Sequence, residues 1–170
     1  MKLNFTVALL CLFITIYTAN AQVKMFKSVV RPTKGILVTY PVHQASISIR
    51  KSASEVYEFM VQPENMPLWA QGLTKAQMKK SDDGWIAESP MGKVKIRFVP
   101  RNNLGVLDHD VTLPSGEVNH NPLRVVRNGE GSEVIFTLYR LPKMSDEDFE
   151  KDQRAVHKDL QTLKSILENR

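Results

Sequence analysis

The segment 144–169 constrains the fold most. Phe149, Val156, Leu160, Leu163 and Leu167 recur at spacings of three, four or seven, while Lys151, Arg154, Lys158 and Lys164 fall between them. At 3.6 residues per turn those apolar positions form one stripe, so the segment reads as a long helix with a single buried side. Ser145 opens it with Asp148 three residues on, a capping-box-like start with Asp in place of Glu or Gln. A lone helix of this kind needs a surface to lie on, and the preceding chain supplies strands.

Ala45, Ile47 and Ile49 alternate with Ser46, Ser48 and Arg50, which predicts a first strand with one buried face. Ser52 or Ser54 then caps a helix running to about Met60, with Glu55 in its first turn and Val56, Phe59 and Met60 as its apolar face. Pro63 ends that helix, and residues 64–70 read as a second short one carrying Met66, Leu68 and Trp69. From 74 to 140 the chain reads as strands joined by close turns at Asp82-Asp83-Gly84, Pro90-Met91-Gly92, Arg101-Asn102-Asn103 and Pro114-Ser115-Gly116. The clearest are 93–99, with Val94, Ile96 and Phe98 on one face, and 133–139, with Val134, Phe136 and Leu138. Asn128, Gly129 and Gly131 are expected to supply the positive-φ residues of the turn between the last two strands.

The N-terminus predicts a compartment. Lys2 precedes an uncharged apolar run over 5–17, and Ala19-Asn20-Ala21 matches the A-x-A pattern of a signal cleaved before Gln22. Residues 1–21 therefore read as a secretory signal, 22–41 as an extension with a short edge strand over 36–40, and 42–168 as one domain. The apolar run is shorter than the ~20 residues of a spanning helix, so no stable membrane insertion is expected after cleavage, and the mature chain is expected in a periplasm or outside the cell. Cys11 is the sole cysteine and lies inside the signal, which removes disulfides, thiol nucleophiles and thiolate zinc sites from the mature chain. The formal charge of +5 comes from basic residues interleaved with acids, so no nucleic-acid partner is expected. Lys24, Lys27, Arg31 and Lys34 form one local basic cluster, read as a solvated leader, with contact to anionic lipid as the alternative.

The stretch Ser52-Ala53-Ser54-Glu55-Val56-Tyr57-Glu58-Phe59, followed by Pro63-Glu64-Asn65 and Leu68-Trp69-Ala70, resembles the opening of the START/SRPBCC superfamily. Gly131-Ser132-Glu133-Val134-Ile135-Phe136-Thr137-Leu138, then Pro142 and Met144-Ser145-Asp146-Glu147, is similar to its polyketide cyclase or dehydrase-like members. The resemblance covers about residues 42–168. It implies an α+β helix-grip fold: a curved antiparallel sheet of about six or seven strands around the long helix, with two short helices gating a cavity. That superfamily includes lipid carriers, hormone receptors, plant allergens and cyclases, so the resemblance specifies a fold better than a reaction.

In such a fold the inward residues matter. Leu107, His109, Val111 and Leu113 share parity, which turns His109 inward if its neighbours face the interior, whereas Asp108 and Asp110 face the other way. An inward imidazole can orient a ligand or act as acid or base, or can be a core histidine bonded to the backbone. Trp69 and Trp85 can wall a flat ligand or simply pack. His120, with Asn119, Asn121 and Arg124, suggests a polar end to the cavity, although Pro122 breaks the alternation that would assign their faces. His43, His109, His120 and His157 form no short-spaced metal pairs, and neither a G-x-S-x-G elbow nor a glycine-rich phosphate cradle occurs, so no metal or cofactor is expected. The expected ligand walls are Trp69, Phe98, Leu107, His109, Val111, Phe136, Val156 and Leu160. They suit an exported binding or carrier protein for a small apolar molecule. The rival readings are a cyclase or dehydratase using His109 with a second polar group, and an interaction module whose cavity is filled by Phe59, Phe98 and Phe136.

Overall fold

A computed structural model describes residues 38–89 and 92–170. The expected signal, most of the extension, and Pro90-Met91 lie outside the described residues. Within them, β1 (Val42–Ile49) leads into α1 (Ala53–Met60), a 3-10 turn (Pro63–Asn65), α2 (Met66–Trp69) and a second 3-10 turn (Gln71–Leu73). There follow β2 (Lys79–Ser81), β3 (Gly84–Ser89), β4 (Gly92–Phe98), β5 (His109–Thr112), β6 (Val118–Asn121), β7 (Leu123–Asn128), β8 (Gly131–Tyr139) and α3 (Asp146–Glu168).

All strand pairs are antiparallel, in the orders β2-β3-β4-β5-β6 and β1-β8-β7. The two groups are parts of one curved surface, because β6 and β7 are arms of a single strand bent at Pro122. A proline cannot donate to the ladder, which favours a break there. Beyond the bend, Leu107 donates its N–H to Leu123 and Val125 donates to Gly105, each at 2.9 Å. Gly105 has φ +70°, and a Cβ there would lie 2.0 Å from the Val125 carbonyl oxygen, so this crossing requires glycine.

Register sets the concave face. Ala45, Phe136 and Leu123 lie side by side, as do Ile47, Val134 and Val125. In the other arm Phe98, His109 and Asn121 form one row, and Trp85, Ile96, Val111 and Asn119 the next.

α1 starts on a full capping box: the Ser52 hydroxyl accepts from the Glu55 N–H, and the Glu55 carboxylate accepts from the Ser52 N–H. Val56, Tyr57, Phe59 and Met60 are buried. α3 is capped by Ser145, which accepts from the Asp148 N–H at 3.1 Å. Leu160, Leu163 and Leu167 are buried against the rest of the core, whereas Phe149 and Val156 are only half-buried. The helix packs chiefly on β1 and α2, and more lightly on β8. Its C-terminal half is thus seated deeply, with each fully buried leucine contributing about 2 kcal/mol relative to exposure. Glu168 locks that end by accepting the Arg50 N–H and the Lys164 ammonium, both at 2.8 Å.

Several expectations are revised. Val38 to Tyr40 form no strand, since pairing begins at Val42 opposite Tyr139. Leu68 is 52% exposed, because the short α2 turns only Met66 and Trp69 inward. In the β7–β8 turn only Gly129 has positive φ, at +60°. Gly131 is needed for close approach instead, as a Cβ would lie 2.7 Å from the Ile49 carbonyl oxygen.

Candidate functional site

His109 is 3% exposed. Its Nδ1 lies 3.1 Å from the Leu107 carbonyl oxygen, and its ring meets that of Phe98 with centroids 5.3 Å apart. A carbonyl only accepts, so Nδ1 carries the proton and Nε2 of the neutral ring is an acceptor. Burial pushes the imidazole pKa below its ordinary value, with the Leu107 bond opposing that effect. Among the described residues no charged side chain hydrogen-bonds to it.

The flanking carboxylates lie on the opposite face. Asp110 pairs with Arg97 at 2.9 Å and with His120 Nδ1 at 2.8 Å, and the His120 and Arg97 bonds hold its carboxyl below the usual range. Asp108 pairs with Arg124 and accepts the Leu123 N–H at 2.8 Å. Arg124 is therefore engaged on the convex side and does not join a polar end of the cavity. Asn119 and Asn121 do face inward, in register with Val111 and His109.

Two openings flank the His109–Phe98 block. One, of about 400 Å³, lies beside the short helices and is walled by Val61, Pro63, Trp85, Phe98 and Leu107 among others. The other, of about 430 Å³, lies where β6 and the end of β8 meet α3, and includes Tyr40, Asn119, Asn121, Leu138, Met144 and Asp152. Of the expected walls, Phe98 and Leu107 line the first opening. Trp69, His109 and Leu160 are buried in the core, and Val111, Phe136 and Val156 pack on it half-buried without lining either opening. A broader depression of about 770 Å³ between α1, the 101–105 loop and β7 contains none of the expected residues. Among the described residues, the buried Trp69 Nε1 and Asn119 Oδ1 have no hydrogen-bond partner.

Sequence reasoning missed two carboxylates on α3. Asp152 lines the second opening, and burial, reinforced by Asp148, raises its pKa. Asp159 is pushed up to about 6 by burial, although its Oδ1 accepts the Gln71 N–H at 2.9 Å, an interaction that opposes the shift. Both follow the three-and-four spacing of Phe149, Val156 and Leu163, a signal hidden when only apolar residues are counted. Among the described residues no group of three or more His, Cys, Asp or Glu could hold a metal, and no helix is long and apolar enough to cross a membrane.

No family model and no curated protein matches the chain. Solved structures do. XoxI from Bacillus cereus matches with TM-score 0.59 at 13% identity, covering 74% of this chain and 94% of that one. Ara h 8.0201 matches with TM-score 0.58 at 7% identity, covering 78% and 100%. The fold is the START-like helix-grip. DynU16, a protein of the dynemicin biosynthetic locus, shares it with TM-score 0.58 at 12% identity, covering 75% of this chain and 47% of that one. At such identities the helix-grip likeness carries the architecture and no activity.

Proposed function

We propose that this chain is an exported binding or carrier protein for a small apolar molecule, held between the concave sheet face and α3. The observation that supports this reading is the incomplete burial of inward residues. Trp85, Phe98, Val111, Phe136 and Val156 all pack on the core, yet each retains solvent contact. Side chains that close a core are close-packed on every side. Phe98, which lines the opening beside the short helices, thus leaves room there, which weighs against a cavity filled by the protein's own rings. Covering a few hundred Å² of ligand at about 25 cal/mol per Å² gives several kcal/mol before binding costs, enough for roughly micromolar affinity.

The surroundings of His109 favour binding over catalysis. An acid or base needs a second polar group aimed at the reacting atom, and this imidazole is held by a backbone carbonyl and an aromatic ring. Export is supported by the Ala19-Asn20-Ala21 pattern, and N-terminal sequencing of the purified protein should begin at Gln22.

Titration with 1-anilinonaphthalene-8-sulfonate tests the groove. The native chain is expected to bind one dye, and Leu138→Trp, which adds volume in the wall of the opening beside α3, to bind it about tenfold more weakly with unchanged circular dichroism. Equal binding by both proteins, or none by the native chain, would count against this site.

A further inference from the structure

α2 packs against α3, and the 3-10 turn Gln71–Leu73 continues from it. Among the described residues one hydrogen bond ties this 66–73 segment to α3: the Gln71 N–H donates to Asp159 Oδ1 at 2.9 Å. Neither α2 nor the 3-10 turn on either side of it has a side-chain cap. At the other end Asn65 Nδ2 donates to the Phe59 carbonyl at 2.8 Å, which anchors the root of the segment to α1. The docked position carries two costs. Trp69 is 6% exposed, yet its Nε1 has no hydrogen-bond partner among the described residues, and a buried donor left unpaired is a penalty that contact with water removes. Asp159 is half-buried and makes no ion pair among the described residues.

We propose that the segment 66–73 is a lid, hinged at Asn65 and latched to α3 by Asp159, and that it is released as this carboxyl ionises. Burial raises the Asp159 pKa to about 6, against the Gln71 bond and the Lys158 charge, which lower it. Docking therefore takes up a proton. The closed lid is fully favoured below about pH 4 and loses that support as pH rises through about 6. The lid itself carries no titratable side chain. β1 and β8, the strands packed on α3, bring His43, Glu133 and Tyr139, none of which acts on Asp159. Val61 and Pro63, at the root of the lid, belong to the wall of the opening beside the short helices, so release widens that route to the core. The device goes beyond the ligand-binding reading and stands whether or not a ligand is bound.

Native-state hydrogen exchange of the purified chain at about pH 5 and about pH 7.5, corrected for the intrinsic exchange rate at each pH, reads the lid directly. The Ala70 and Leu73 amides, bonded to the Met66 and Ala70 carbonyls at 2.9 Å each, report its opening, since a helix of one turn does not persist once undocked. Both should be at least about tenfold less protected than the Leu163 amide in the seated half of α3, as a local opening requires. Their protection should fall about fivefold between the two pH values, the factor that the raised pKa gives once discounted for the water the carboxylate still meets. Asp159→Asn should keep its low-pH protection at both. Asp159→Ala, which removes the acceptor, should lie below Asp159→Asn at both. Lid amides as protected as Leu163 would mean that the segment opens only when the whole protein does, and would overturn the proposal. So would a fall shared by Asp159→Asn, no fall in the native chain, or equal protection in the two variants.

Discussion

Replacing Asp159 by asparagine should stabilise the protein at neutral pH, although it removes a charge from a helix surface. Asp159 is half-buried, makes no ion pair among the described residues, and has its pKa raised from 3.8 to about 6. A raised carboxyl pKa means that the folded state holds its proton more tightly than the unfolded chain does. The stabilisation from that proton is complete below about pH 4 and is lost as pH rises through about 6. At face value a shift of about two units is ~3 kcal/mol, but the carboxylate still meets water, and screening reduces the expected effect to about 1 kcal/mol. Asparagine is uncharged at every pH and keeps an Oδ1 that can accept the Gln71 N–H. Urea unfolding of both proteins between pH 4 and 8 reads the difference. The variant should match the native chain near pH 4 and exceed it by about 1 kcal/mol at pH 7.5, a rise of about 3 °C in Tm. Asp159→Ala, which removes the acceptor, should fall below Asp159→Asn at every pH. An asparagine variant less stable than the native chain at pH 8, or a difference independent of pH, would refute the reasoning.

Other positions give sharper contrasts. Leu160, 1% exposed on the seated half of α3, should cost about 2–5 kcal/mol as Leu160→Ala in denaturant unfolding. Ser132 is equally buried and its hydroxyl has no partner among the described residues, so Ser132→Ala should be neutral or raise stability by up to about 1 kcal/mol. His109 should stay neutral to lower pH than an ordinary histidine, visible in NMR as an imidazole midpoint below that of the unfolded chain. Because its folded pKa is depressed by burial, its contribution to stability is present above the unfolded pKa and is lost as pH falls below it. Gly105→Ala should destabilise strongly, by about 2 kcal/mol or more, since the new Cβ meets the Val125 carbonyl at a positive φ.

Much of this architecture was legible in the residues, for identifiable reasons. Period-two alternation placed Ile47, Val134 and His109 on the concave side because register allows each strand only two faces. Ser52 and Ser145 marked helix starts because free N–H groups need acceptors. The site was harder to read. The inward turn of Asn119 depends on the β5–β6 register and on the bend at Pro122, neither of which local alternation determines. The apolar stripe of α3 was visible, but not that its first half seats less deeply than Leu160 to Leu167, which follows from where the helix crosses β1 and α2. Asp152 and Asp159 occupy stripe positions that a count of apolar residues passes over. Trp69 and Leu160 belong to the expected wall by parity and spacing, yet they pack into the core.

The most direct test is native mass spectrometry of the chain purified from its own compartment, followed by organic extraction. The account expects a one-to-one complex whose added mass is recovered as a small apolar molecule. A bare mass, together with failure to take up hydrophobic dye, would contradict it and leave a cavity filled by its own side chains as the better description.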